Sequence, residues 1–133
     1  GKVQHSPLVA AISMSAPEVQ PVVLERFHSW MTKLVEERCK DVYRIKAVLS
    51  VHERDRLYVF QGVCGELKGQ EEREWKQHEK RLSELVIIGH NLDECVLREE
   101  FQKCLLSCTD TAASLSPISG RGVRREGDNS KRD

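Results

Sequence analysis

The sequence predicts a two-layer α+β sandwich in which two helices cover one face of a mainly antiparallel sheet of four to five strands. Apolar residues take every second position in several short segments, which is typical of strands. In two other segments they recur at three- and four-residue steps, which is typical of amphipathic helices. These segments follow one another in the order β-α-β-β-(short β)-β-α, so both helices pack on one side of a single sheet.

The first strand and the first helix lie in the first third of the chain. Apolar residues alternate with polar or small ones at Leu8, Ala10, Ile12 and Met14. From about Pro21 to Cys39 the apolar residues keep helical spacing, at Val23, Phe27, Trp30, Leu34 and Val35. Pro21 suits the first turn of this helix, because proline has no backbone N–H to leave unbonded there.

The second and third strands are expected to form a hairpin. Asp41 to Val51 alternates, and the pattern places on the inner face Tyr43, Ile45, Ala47, Leu49 and Val51. Arg44 and Lys46 then share the opposite face. The polar run 52–55 predicts a turn into the next strand, Leu57 to Cys64, since strands adjacent in sequence are usually adjacent in the sheet. Gly62 and Gly65 indicate a bulge or the end of that strand.

The last third of the domain contains a strand and a helix. The charged stretch between Gly69 and Lys80 predicts a loop or a short edge strand, anchored by Trp75. Leu82 to Ile88 is apolar on both faces and predicts a central strand. Asn91 is expected to cap the second helix with Glu94 three residues on, and the inner stripe of that helix is Leu97, Phe101, Cys104, Leu105 and Cys108.

Composition bounds the class of protein. The chain has 133 residues, with 21 basic and 21 acidic side chains, so its formal charge of zero argues against a non-specific nucleic-acid or membrane binder. Five cysteines without C-x-x-C spacing predict reduced thiols, in the cytoplasm or an organelle matrix. We expect residues 1–108 to form the domain and residues 109–133 a disordered tail, because the tail has few apolar residues to bury.

The local signatures of common enzymes are absent from the sequence. It contains no G-x-x-x-x-G-K-[ST] loop for a nucleotide triphosphate, and no H-E-x-x-H, G-x-S-x-G or G-x-G-x-x-G motif. We therefore expect that this chain by itself is not an enzyme and holds no intrinsic cofactor.

Five blocks spread over roughly residues 5 to 108 resemble the CobW carboxyl-terminal domain. In order they are Arg44-Ile-Lys46, Gln61-Gly62-Val63, Trp75 with the run Arg81 to Gly89, Leu92-Asp93, and Phe101-x-x-Cys104-Leu105. The resemblance implies that the parent protein is a P-loop GTPase that delivers zinc or cobalt to client metalloproteins. GTP and its magnesium ion would then bind in an upstream domain outside this chain, which begins with Gly1 rather than Met.

The sequence departs from the family pattern at three places. The R-x-K-G block ends here in Ala47, the Q-G-V-H block ends in Cys64, and the I-G-R block ends in His90. The histidine that the family carries after Q-G-V is thus replaced by a thiol. These differences weaken the transfer of family roles to single residues.

The candidate interaction surface combines the strand pattern with the matched blocks, and consists of Arg44, Lys46, Gln61, Trp75 and Arg81. Paired cations on one strand face can contact the GTPase domain, a client protein or an anion, although a solvated sheet face has the same pattern. A zinc or cobalt site is conceivable at Cys64 with a histidine such as His52, His78 or His90. Packing of Cys64 as a small apolar residue is the alternative.

Two functions are compatible with the sequence, and the resemblance favours the first. The first is an accessory domain of a CobW-like metal chaperone, with the upstream GTPase domain and a client metalloprotein as partners, and without nucleic acid or membrane. The second is a free-standing protein- or RNA-binding module of α+β fold. RNA binding would need exposed aromatic side chains on central strands, for which the candidates are Tyr43, Tyr58 and Phe60.

Overall fold

The computed structural model, which describes residues 8–63, 65–108 and 110, confirms the α+β fold. The elements are β1 (Ala10–Ala16), α1 (Leu24–Glu37), β2 (Val42–Leu49), β3 (Arg56–Val63), β4 (Glu66–Glu74), β5 (Ser83–Gly89) and α2 (Glu94–Lys103). The five strands form one sheet in the order β1-β5-β2-β3-β4, and every adjacent pair is antiparallel. The sheet therefore has β2 as its middle strand and β1 and β4 as its edges.

The core lies between one face of the sheet and the two helices. Alternate residues of the strands are buried on this inner face, among them Ile12, Met14, Ile45, Ala47, Leu49, Phe60, Leu85 and Ile87. Phe27 of α1 is fully buried, and its ring centroid lies 5.0 Å from that of Phe60 and 6.5 Å from that of Phe101. One aromatic side chain thus connects α1 to both the sheet and α2.

Tyr43 does not lie on the inner face, so the expected alternation of β2 is wrong at its start. Val42 pairs with Gly89 and Arg44 pairs with Ile88, which are consecutive residues of β5. Tyr43 is therefore an extra residue in β2 without a partner in β5. This bulge buries Val42 and leaves Tyr43 43% exposed. From Ile45 onward the predicted alternation holds, and Arg44 and Lys46 are both exposed.

The second helix is shorter than its apolar pattern suggested. Its N-cap is Asp93, whose carboxylate accepts a hydrogen bond from the Val96 N–H at 3.2 Å, and not the expected Asn91. Asn91 instead adopts a left-handed backbone with φ 57°. At the other end Cys104 is buried but Cys108 is exposed, because the helix ends at Lys103 and the chain leaves the helical stripe.

The stretch expected to be a loop or short edge strand, residues 69–80, is divided: its first part belongs to the nine-residue edge strand β4, which begins earlier, at Glu66, and the rest is loop. Its side chains are nearly all exposed and mostly charged, which protects an edge strand against pairing with other chains. Gly69 lies over Tyr58 and Phe60, where an added Cβ would come within 2.9 Å of both rings. Gly65 makes the turn from β3 with φ +77°, as its predicted place at a strand end suggested.

Residue 109 and residues 111–133, nearly all of the predicted tail, lie outside the described residues. Asp110 is described, and its carboxylate accepts two hydrogen bonds from the guanidinium of Arg26 on α1. The Ser107 hydroxyl donates to the same carboxylate at 2.9 Å. These bonds hold the chain after α2 against α1.

Gly89 should tolerate no side chain. A Cβ added there would lie 2.0 Å from the Asp41 carbonyl oxygen, which also accepts a hydrogen bond from the His90 N–H. Because the obstructing atom belongs to the backbone of the residue that precedes β2, we expect Gly89→Ala to lower the free energy of unfolding by about 3 kcal/mol in urea titrations followed by circular dichroism.

The matched control is Gly62→Ala. There the nearest atom to an added Cβ is Leu67 Cδ1 at 3.3 Å, the end of a flexible side chain. We expect a loss below about 1 kcal/mol for this variant. Equal losses for the two variants would contradict the close approach of the backbones at Gly89.

Candidate interaction surface

The face of the sheet opposite the helices, called here the outer face, carries three rows of side chains that run across all five strands. The cross-strand register gives the rows as Ala11-Ile88-Arg44-Val63-Glu66, Ser13-Val86-Lys46-Gln61-Lys68 and Ser15-Glu84-Val48-Val59-Gln70. Both described helices pack on the other face. Within the described part of the chain the outer face is therefore open, as the 51% exposure of Val63 illustrates.

Arg44, Lys46 and Gln61 are brought together on the outer face. Lys46 and Gln61 are register partners, and Arg44 lies two residues from Lys46 on the same strand. Lys68, the next residue in the middle row, was not among the predicted residues, because it lies between the expected strand Leu57 to Cys64 and the charged stretch that begins at Gly69. The alternation of Leu67 and Gly69 with Glu66, Lys68 and Gln70 was the available signal for β4.

The cations of the outer face are not neutralised by neighbouring carboxylates. Among the described residues, Arg44, Lys46 and Lys68 take part in none of the ion pairs, which all lie elsewhere. Glu66 and Glu84 are exposed on the same face, but each belongs to one of the two rows that flank the middle row. Lys46 and Lys68 of the middle row, together with Arg44 of the row beside it, thus form the basic part of the surface.

Half-buried aliphatic side chains surround the central lysine. They are Val48, Val59, Val86 and Ile88, on the three central strands. Val86 and Ile88 belong to β5, which was expected to be a central strand covered on one side and partly on the other; its inner side is buried under the helices, and these two residues are half-buried. The outer face therefore mixes apolar and basic character, as protein interfaces often do. A cleft of about 260 Å³ opens at one end of the face, between Arg44, Gln61 and Lys68.

Trp75 and Arg81 lie apart from these residues, beside the connection between β2 and β3. The backbone N–H of Trp75 donates a hydrogen bond to the Asp55 carbonyl oxygen at 3.2 Å. Arg81 Nη1 lies 3.5 Å from the Asp55 carboxylate. Trp75 is half-buried, and its Nε1 is buried with no acceptor among the described residues. The five predicted site residues thus fall at two places and do not form one surface.

The segment after β4 is fixed by one carboxylate. Glu79 accepts two hydrogen bonds from the Arg73 guanidinium, at 2.9 and 2.8 Å, and one from the Lys76 N–H at 2.9 Å. The bonds from Arg73, followed by the bond from the Lys76 backbone, lower the pKa of Glu79 from 4.5 to about 2. The loop that contains Trp75 is therefore closed by this pair.

The described residues contain no cluster of three or more His, Cys, Asp or Glu side chains able to hold a metal ion. Cys64, the predicted ligand, lies outside the described residues. His90 is engaged elsewhere, since its Nδ1 lies 2.6 Å from the Tyr43 hydroxyl and its Nε2 lies 3.5 Å from the Asp41 carboxylate. The geometry of the described part gives no support for a metal site.

The cysteines differ from one another in environment. Cys95 and Cys108 are exposed free thiols, whereas Cys104 is buried, and burial raises the pKa of its thiol to about 11. Cys39 is disulfide-bonded, so the expectation that every cysteine is reduced is wrong for it in this structure.

An aromatic platform for RNA is not formed by the candidates named from the sequence. Phe60 is 1% exposed and Tyr58 packs beside it against the core, with ring centroids 5.2 Å apart. Tyr43 is exposed, but it is bonded to His90 at the end of the sheet. Stacking of a base on Phe60 would require opening the core. None of the described helices is long and apolar enough to cross a membrane.

These features define an α+β domain with one sheet face covered by helices and the other open and partly basic. The chain belongs to the family of the cobalamin synthesis protein cobW C-terminal domain, whose profile matches residues 11–105. This confirms the resemblance drawn from the five sequence blocks.

Two solved structures are similar to this chain: the zinc-bound YjiA GTPase from E. coli and a zinc-bound triple mutant of YjiA. Each is 26% identical in sequence and superposes with a TM-score of 0.66 over 72% of this chain. The match covers 29% of the YjiA chain, so the present chain spans less than a third of the length of that GTPase.

The Arg73–Glu79 pair should make the Trp75 loop sensitive to acid. Because folding lowers the pKa of Glu79 from 4.5 to about 2, its stabilising effect is complete above pH 4.5 and is lost as the pH falls towards 2. We expect Glu79→Gln to have a lower urea midpoint than the wild type at pH 6. The gap should close between pH 4.5 and about 2, as measured by tryptophan fluorescence.

Glu74→Gln is the control for this prediction, because the Glu74 side chain joins none of the ion pairs among the described residues. We expect its midpoint at pH 6 to lie closer to that of the wild type than the midpoint of Glu79→Gln does. A gap for Glu79→Gln that stays constant from pH 6 to pH 2 would refute the role of this carboxylate.

Proposed function

We propose that this chain is the non-catalytic C-terminal accessory domain of a CobW-like, GTP-dependent metal chaperone. In this role its outer face contacts a protein partner and contributes to client recognition or metal transfer. The observation that carries the proposal is the open outer face, on which Arg44, Lys46 and Lys68 have no ion-pair partner within the described residues. A face of this kind is suited to a partner that supplies the missing charges.

Family membership supports the assignment of GTP hydrolysis to another domain of the parent protein. The matched structures are of a GTPase more than three times as long as the shared region, and this chain lacks a P-loop. Nucleotide binding and hydrolysis then belong to a separate, upstream GTPase domain of the parent protein. We assign no residue of this chain to the hydrolysis of GTP.

The metal is also expected to bind outside this domain. YjiA was crystallised with zinc, but the described residues here offer no cluster of three metal-binding side chains. Zinc or cobalt would therefore be held by the upstream domain or the client. The accessory domain acts on metal transfer by holding the two proteins together.

The test combines this chain with a CobW-family GTPase domain prepared without its own C-terminal domain. Binding is measured by calorimetry, and GTP turnover and zinc affinity are measured with and without the added chain. We expect binding together with a change in turnover or zinc affinity of at least about threefold, a coupling in the usual range for linked sites. The chain alone should hydrolyse no GTP above the buffer rate.

Two variants of the chain make the test specific. Arg44→Glu combined with Lys46→Glu reverses the charge of the outer face and should abolish the effect. Lys33→Glu makes the same kind of change at an exposed position of α1, on the opposite side of the sheet, and should retain it. Absence of binding and of any effect by the wild-type chain would refute the accessory role.

A further inference from the structure

Lys46 lies at the centre of the outer face. It belongs to β2, the middle strand of five, and to the middle one of the three cross-strand rows. Its register partners are Val86 on one side and Gln61 on the other. A protein that covers this face therefore has to cover Lys46.

Covering Lys46 removes water from its ammonium group. Among the described residues no carboxylate lies within ion-pair distance of this group, and its side neighbours are a valine and an amide. A buried charge is tolerated only when a partner of opposite charge and further hydrogen bonds compensate its lost hydration. The compensating charge has to come from the docking protein.

We propose that the outer face takes a protein segment that sets an Asp or Glu carboxylate against the Lys46 ammonium and the Gln61 amide. This inference rests on the proposed docking role and names the chemistry of the partner. The same segment brings aliphatic side chains to the half-buried residues around the lysine, Val48, Val59, Val86 and Ile88. The amide of Gln61 donates a hydrogen bond to the second oxygen of the carboxylate.

The neighbouring cations assist the approach of this segment. By strand geometry Arg44 lies about 7 Å and Lys68 about 10 Å from Lys46, measured between Cα atoms. Neither cation has an ion-pair partner among the described residues. Together the three raise the positive potential over the middle of the face, which steers an acidic partner during encounter.

The surroundings favour a protein over a nucleic acid. Glu66 and Glu84 occupy the outer rows of the same face, where they would repel a phosphate backbone that crosses it. The aliphatic side chains around Lys46 form no hydrogen bonds or ion pairs with phosphates. Tyr58 and Phe60, on which bases could stack, lie on the inner face. One carboxylate among apolar side chains matches the surface better than a chain of phosphates.

The experiment selects ligands for the face from a random library of 12-residue peptides displayed on phage. The full 133-residue chain is the target, and its Lys46→Glu variant removes peptides that bind elsewhere. We expect the enriched peptides to contain Asp or Glu next to aliphatic residues. Synthetic versions should lose at least tenfold in affinity on Lys46→Met, and more on Lys46→Glu, because the carboxylate is left unpaired or repelled.

Two further variants separate charge recognition from damage to the fold. Lys46→Arg keeps the positive charge and should retain most of the affinity, while Lys33→Glu on α1 should bind within about twofold of the wild type. All variants should unfold within about 3 °C of the wild type, as expected for exposed positions. A Lys46→Met chain that unfolds normally and still binds the acidic peptides would overturn the proposal.

Three other outcomes would also overturn it: enrichment of peptides without acidic residues, no enrichment at all, or binding of a 12-nucleotide RNA that is lost in Lys46→Glu. The result is independent of the calorimetric test with a GTPase domain. Suppose that acidic peptides bind in a Lys46-dependent way but the chain has no effect on a GTPase domain. This result would refute the accessory function, and the proposed contact between Lys46 and a carboxylate would stand. The reverse pattern would refute only the carboxylate contact.

Discussion

The burial of Phe27 between the sheet and α2 is the contact on which the rest of the structure depends. Its ring meets Phe60 of the sheet and Phe101 of α2, so one side chain joins all parts of the core. Burial of a phenylalanine side chain contributes about 1.5–3 kcal/mol. Because α1 and α2 are both held on the inner face by this cluster, the opposite face of the sheet stays open and its polar side chains remain exposed.

The open face is where the proposed function is located. In a two-layer domain the side chains of each strand alternate between the core and solvent, so the covered face sets the position of every residue on the other one. Lys46 is central on the outer face because Ile45 and Ala47, its neighbours in sequence, are buried beneath the helices. A cation without an ion-pair partner among the described residues, at the centre of a partly apolar face, is costly to cover unless the covering protein supplies an opposite charge.

The end of the sheet near Gly89 is organised by backbone contacts. The carbonyl oxygen of Asp41 lies close to Gly89 and accepts a hydrogen bond from the His90 N–H. The carboxylate of Asp41 lies 3.1 Å from Arg38 Nη2. The adjoining bulge turns Tyr43 away from the core and towards His90. His90 thus joins the Tyr43 hydroxyl to the Asp41 carboxylate at this end of the sheet.

Local periodicity by itself determined the fold class, both helices, the approximate places of four strands and the shared face of Arg44 and Lys46. These features depend on neighbouring residues in the chain, which sequence shows directly. The bulge at Tyr43, the full length of β4, the inclusion of Lys68 in the middle row, and the separation of Trp75 and Arg81 from Lys46 were decided only by the tertiary structure. The bulge depends on the pairing of β2 with β5, which are distant in the chain, and the length of β4 and the position of Lys68 depend on its pairing with β3. The register of such pairs is set by packing of the whole core rather than by local pattern.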